Sequence, residues 1–286
     1  MENIVFHPPH LYIVTMKNNS CFSLVSVFVL SALCSSCVTP PETPQSQFGE
    51  LHYSATIPLY PDKPANSPVL DLTMNLVGMN FPAKEAEFFH KTLYSGDSLQ
   101  AYRDRVVNEQ TGIYRRTAAA VNIPEGEDQT SLNWYYTEQV VVNGGENRGI
   151  VVERTLDSYM GGAHGLTTKK YYALDLDSPA QVTMNDLFED YHDTRIKAIV
   201  YDELRNHNNL AKGQPLTEGG FLSDEPALTE NFYVTGQGLG LLWNRYEIAP
   251  YVMGAIDIII PWRDIRPRML NSGMELLTKF KIYLFM

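Results

Sequence analysis

The stretch Leu132-Asn-Trp-Tyr-Tyr-Thr-Glu-Gln-Val-Val-Val142, Asn143-Gly-Gly-Glu-Asn147, Arg148-Gly-Ile-Val-Val-Glu-Arg-Thr-Leu156 carries the clearest fold signal in this chain. Leu132, Trp134, Tyr136, Val140 and Val142 recur with the period of two expected of a strand with one buried face. Asn143 to Asn147 has the composition of a turn, and Ile150, Val152 and Leu156 return along a second strand, so the segment reads as a hairpin. Upstream, Tyr53 to Tyr60 and Val69 to Val77 read as two further strands joined by the proline-marked loop 61–68. Pro82 then opens a helical pattern through Ala86, Phe89 and Leu93. After Gly96-Asp97 the spacing resumes at Leu99, Tyr102 and Val106, giving a pair of short amphipathic helices.

Downstream, a strand is expected at 169–176, and Thr183-Met-Asn-Asp186 has the form of a capping box with Asp in place of Glu or Gln. The helix after it shows Phe188, Tyr191, Ile196, Ile199, Val200 and Leu204 on one side. Phe232-Tyr-Val234, Leu239 to Trp243 and Ala255 to Pro261 are three extended segments, the first two separated by the turn Gly236-Gln-Gly238. Hairpin-connected strands mixed with helices, without strict βαβ alternation, predict an α+β fold of antiparallel sheets with helices packed on one face. The expected organisation is a leader at 1–37, a linker at 38–49 and two small subdomains at 50–158 and 159–267. Residues 268–286 fit no clear helical period and read as an atypical tail.

With 33 acidic against 22 basic side chains and a net charge of −11, the chain lacks the basic stripe that a nucleic-acid binder needs. Residues 22–34 form an apolar run of about thirteen, short for a membrane span and suited to a signal-peptide core. Lys17 supplies its positive flank, which places the expected start at Met16 and makes 1–15 an upstream over-call. All three cysteines, Cys21, Cys34 and Cys37, fall in or at the end of this segment. Cys37 follows Ser35-Ser36 and precedes a proline-rich tether, so lipidation at Cys37 is favoured over a simple cleaved signal. The expected location is exported, at the periplasm or cell surface, with a membrane anchor. No disulfide is available to the processed chain.

Tyr159-Met-Gly-Gly-Ala-His-Gly165 is the segment richest in chemical potential. Its glycines permit left-handed backbone and close approach, and His164 sits where the chain turns between strands. One reading makes the loop a cradle for carbohydrate or peptide with His164 as donor or general base; the other makes it a tight connection held by backbone hydrogen bonds. The loop lacks the Gly-Lys-Ser/Thr ending of a phosphate loop, and no Gly-x-Ser-x-Gly elbow occurs. The histidines of the processed chain, His52, His90, His164, His192 and His207, form no tight ligand pair, and no metal or cofactor is expected. His192 and His207 are placed on or beside the apolar face of their helix. Aromatic residues at 134–136, 171–172, 243 and 246 stand near sheet or loop positions, where they pack in a core or stack on a ligand.

The loop 159–165, followed by Thr183-Met-Asn-Asp-Leu-Phe188, Tyr246-Glu-Ile-Ala-Pro-Tyr-Val-Met-Gly254 and Ile258-Ile-Ile-Pro261, resembles a pair of extracytoplasmic domains of unknown function. These occur in lysozyme-binding anti-sigma factors of the RsiV type and in peptidoglycan deacetylases of the PdaC type. The resemblance implies an α+β fold, an exported location, and binding to lysozyme or to another envelope component. The transmembrane helix and sigma-binding segment of the former, and the metal-binding catalytic domain of the latter, are not expected in this chain. The expected function is therefore binding of a protein such as lysozyme, or of a peptidoglycan fragment, without catalysis. Tyr159, Gly161, Gly162, His164, Tyr246, Glu247 and Tyr251 are the expected contact residues. The alternative is an envelope glycan hydrolase with His164 as acid/base.

Overall fold

The computed structural model describes residues 47–121, 123, 128–143 and 148–280. The leader, Cys37, the residues of the linker before 47 and the turn residues 144–147 lie outside these. Strands β1 (Phe48–Pro58), β2 (Val69–Met79), β3 (Trp134–Asn143), β4 (Gly149–Tyr159), β5 (Leu166–Asp175) and β6 (Ala180–Gln181) form one six-stranded sheet in sequence order. Strands β7 (Phe232–Val234), β8 (Gly238–Trp243) and β9 (Ile256–Pro261) form a second, antiparallel sheet. The expected α+β class and the hairpin pairing of β3 with β4 are borne out.

One neighbour pair departs from the antiparallel expectation. β2 runs parallel to β3, because the connection between them is a helical crossover rather than a turn. That crossover consists of α1 (Ala83–Tyr94) and α2 (Leu99–Val121). The second helix is much longer than the short element expected. Phe89, Leu93, Tyr94, Tyr102, Val106 and Tyr114 face Leu70, Leu72, Met74, Trp134 and Tyr136, closing the first core.

A charged cluster sits inside this core. Glu138 on β3 is fully buried and accepts hydrogen bonds from the hydroxyls of Tyr102 and Tyr136, at 3.0 Å each. Arg154 on β4 lies 2.8 Å from Glu138 and also donates to the Tyr102 hydroxyl. Burial first, and then the charge of Glu138, pushes both tyrosine hydroxyls well above their ordinary value, so they remain donors.

The second core gathers the β7–β9 sheet, α3 (Met184–Leu187), α4 (Thr194–His207), α5 (Trp262–Ile265) and α6 (Asn271–Thr278). The single helix expected after the Thr183 capping box is in fact two helices, α3 and α4, with Phe188 as the C-cap of α3 and residues 189–193 outside both. Phe188, Tyr191, Ile196, Val200 and Leu204 are nonetheless buried, and Ile199 is half-buried against the same core. Asp186 closes the capping turn by accepting from the Thr183 N–H at 2.7 Å. His192 precedes α4 and His207 ends it, so both project beyond the packed span and are exposed, contrary to expectation.

The expected boundary at 158/159 falls inside the β4–β5 hairpin. β5 pairs with β4 over ten residue pairs, so the first unit runs on to β6. The segment read as a tail is also part of the fold as far as residue 280. A side chain at Gly273 would come within 2.8 Å of the Leu187 backbone, and Leu277 is fully buried. Lys279 pairs with Asp175 at 2.8 Å, and its carbonyl accepts from the Gly149 N–H. Among the described residues no helix is long and apolar enough to cross a membrane.

The buried pair makes a clear prediction. Arg154→Leu strands the Glu138 charge and costs about 3–5 kcal/mol of stability in urea denaturation, whereas Glu138→Met combined with Arg154→Leu recovers most of that loss.

Candidate functional site

The loop 160–165 joins β4 to β5 and turns through two left-handed residues, Gly161 at φ 81° and Gly162 at φ 100°. A third glycine is required for space. A Cβ at Gly165 would lie 2.7 Å from the Tyr135 hydroxyl and 3.0 Å from the Ser158 carbonyl. The Tyr159 hydroxyl donates to the Gly162 carbonyl at 3.0 Å and fixes the loop from below.

The second half of the site comes from the β8–β9 connection. Asn244 and Glu247 bracket a tight turn in which the Asn244 N–H donates to the Glu247 carboxylate at 2.9 Å. The Glu247 N–H returns a bond to the Asn244 carbonyl at 3.1 Å. Between them Tyr246 adopts a left-handed backbone, φ 71°, and is 54% exposed. For a bulky aromatic residue this conformation costs about 1–3 kcal/mol, and such strain is commonly found where a side chain is presented for use. Tyr251 opens a single helical turn after Pro250.

The two loops meet although 82 residues separate them in sequence. The His164 ring lies against Tyr251 with centroids 3.7 Å apart and planes 18° from parallel. Its Nε2 is 3.2 Å from the Tyr246 hydroxyl and its Nδ1 is 3.3 Å from the Gly165 carbonyl. The Nδ1–H tautomer satisfies both contacts, with Nε2 accepting from Tyr246. Tyr251 donates to the same Gly165 carbonyl at 2.9 Å. On the adjoining sheet face Tyr135 and Tyr159 stack at 6.4 Å. Burial first, and then the charge of Asp157, raises the Tyr135 hydroxyl above its ordinary value.

Of the expected contact residues, Tyr159, Gly161, Gly162, His164, Tyr246 and Tyr251 are brought into this one cluster. Glu247 has a different task, holding the turn that carries Tyr246. Tyr135 and Arg245 were not among the expected residues. Tyr135 points away from the core face of β3 that Trp134 and Tyr136 occupy, an orientation that the alternation already encodes. Arg245 places its guanidinium 4.9 Å from the Tyr251 ring centroid, and no sequence pattern announced it. Exposed Met160, Leu166 and Val252 lie on the same segments, the last 89% exposed.

The other histidines of the described residues lie elsewhere. His90 contacts the carbonyls of Asp97 and Met79, and His52 contacts Asn75 and Glu50, each within the first unit.

Comparison with known proteins agrees with this picture at the level of fold and domain. Residues 185–263 match the family described as "Protein of unknown function (DUF3298)", a span that includes the Tyr246–Tyr251 turn. Over 104 residues it is 27% identical to the peptidoglycan-N-acetylmuramic acid deacetylase PdaC of Bacillus subtilis strain 168. That match covers 36% of this chain and 22% of the relative, so the chain spans less than a quarter of the relative's length. The crystal structure of a DUF3298 family member from Bacteroides fragilis NCTC 9343 superposes with a TM-score of 0.70 at 19% identity, covering 82% of this chain and 96% of that one. A DUF3298 family protein from Pseudomonas aeruginosa PAO1 gives 0.54 at 15% identity, covering 79% and 95%. Both likenesses show a shared fold. The resemblance to PdaC-type domains is thereby borne out.

If Tyr246 is kept for presentation rather than folding, Tyr246→Asn relieves backbone strain and raises stability by up to about 1 kcal/mol in urea denaturation. A loss of stability instead would make the ring a structural element.

Proposed function

We propose that this chain is an exported binding module of the cell envelope that engages a peptidoglycan fragment through the platform formed by Tyr135, Tyr159, His164, Tyr246 and Tyr251. The observation that carries this reading is the convergence of two loops, one glycine-built and one strained, to hold aromatic rings at the surface. Exposed rings held rigid by their backbone stack on sugar faces at low entropic cost. The name of the Bacillus subtilis relative, a peptidoglycan deacetylase, supports an envelope glycan as the ligand. The export segment and Cys37 fit a lipid-tethered module lifted from the membrane by its proline-rich linker.

Binding rather than turnover is the function that the His164 environment favours. Its ring nitrogens face a tyrosine hydroxyl and a backbone carbonyl, and one ring face is covered by Tyr251. A general acid/base needs a free nitrogen or a proton partner directed at the substrate.

A second reading, a cationic protein such as lysozyme, is favoured by the net charge of −11 and by exposed apolar residues, Val252 above all, beside the rings. Calorimetric titration with soluble peptidoglycan fragments and with lysozyme distinguishes the two. Heat with the fragments, weakened by about 1 kcal/mol or more in Tyr246→Ala or Tyr251→Ala, is the expected result. Binding to neither ligand contradicts both readings.

A further inference from the structure

We propose that Arg245 makes the aromatic platform a receptor for a carboxylate, so that the glycan it takes is an acidic muramyl peptide rather than a neutral chitin-like oligomer. This rests on reading the platform as an envelope-glycan site.

Arg245 stands between the turn residue Asn244 and the strained Tyr246, and its guanidinium lies against the Tyr251 ring. The residue is half-buried, and its Nε is buried with no acceptor. Among the described residues it forms no ion pair. Arg148, Arg154, Arg205 and Lys279, by contrast, each hold a carboxylate. Glu247, two positions away, directs its carboxylate to the Asn244 turn instead.

A half-buried guanidinium with no anion beside it leaves its outer donors open to one from a ligand. Its planar fork of donors matches a carboxylate in a bidentate pair, a geometry that an ammonium does not reproduce. A neutral N-acetylhexosamine oligomer offers a sugar face to Tyr246 but nothing for Arg245. A muramyl peptide offers the same sugar face together with a carboxylate on its lactyl-peptide arm, so the two halves of the site are matched by the two halves of the ligand.

The test is calorimetric titration of the protein with three probes. They are N-acetylmuramyl-L-alanyl-D-isoglutamine, which bears one free carboxylate, the same molecule with that carboxylate amidated, and neutral triacetylchitotriose. The wild type is expected to bind the acid about tenfold or more tightly than the amide, an advantage that shrinks as salt rises. Arg245→Gln is expected to reduce the acid to the affinity of the amide while leaving triacetylchitotriose unchanged, and Arg245→Lys to fall between. Should Arg245→Gln fail to fold, as judged by its thermal melt, the acid-to-amide ratio in the wild type and in Arg245→Lys decides the matter. Equal binding of acid and amide, or an unchanged acid affinity in Arg245→Gln, overturns the assignment of Arg245 and leaves the glycan reading standing. Absence of binding by all three probes overturns both.

Discussion

The outer edge of β5 at Lys169 and Tyr171 is the constraint on which the arrangement of the molecule depends. β4 pairs with one side of this strand, and β6 covers only its last residues on the other. The backbone groups left over must find partners or bear the cost of burial. Two asparagines from the second unit supply them. Asn231 accepts from the Tyr171 N–H and donates to the Lys169 carbonyl, both at 2.8 Å, and Asn244 accepts from the Lys169 N–H at 2.7 Å. Each side-chain amide behaves as a piece of neighbouring strand, one donor and one acceptor set against an exposed ladder.

This clasp also explains where the aromatic platform stands. Asn231 precedes β7 and is held by Thr229, whose hydroxyl accepts from the Asn231 N–H and donates to the Leu242 carbonyl. Asn244 follows β8 and begins the turn that carries Arg245, Tyr246 and Glu247. Fixing Asn244 to β5 therefore sets the height of Tyr246 and Tyr251 against the loop that precedes the same strand. The tilted contact of Tyr171 with Tyr233, ring centroids 4.4 Å apart, and the packing of Val151 against Leu242 fill the seam below. The site is a consequence of how two sheets are joined, and its rings owe their exposure to backbone strain at one residue and to glycine at others.

Much of this architecture is legible in the sequence. Period-two alternation marked β3 and β4, and the apolar spacing of 86, 89 and 93 marked α1, because local side-chain burial writes itself into local pattern. The Gly-Gly-Ala-His-Gly loop and the Tyr246 to Gly254 segment stood out by composition. Their adjacency did not, since it depends on amide contacts between Lys169 and residues 62 and 75 positions away. The parallel pairing of β2 with β3 was hidden for a similar reason: a helical crossover leaves no turn residue to reveal its direction. Residues 268–280 carried no clean period because a helix of eight residues contributes few buried positions, Leu277 and Gly273 chiefly. Arg245 had no signal of its own, because an unpaired cation is recognised only when its surroundings are known.

The central claim is that the platform at the junction of the two sheets is the ligand site. Side-chain nuclear magnetic resonance of the aromatic and histidine resonances during titration with soluble peptidoglycan fragments tests it most directly. The account predicts saturable shifts confined to Tyr135, Tyr159, His164, Tyr246 and Tyr251. Shifts centred instead on the seam of Tyr171 and Tyr233, or on His52 and the face of β1 and β2, would contradict it.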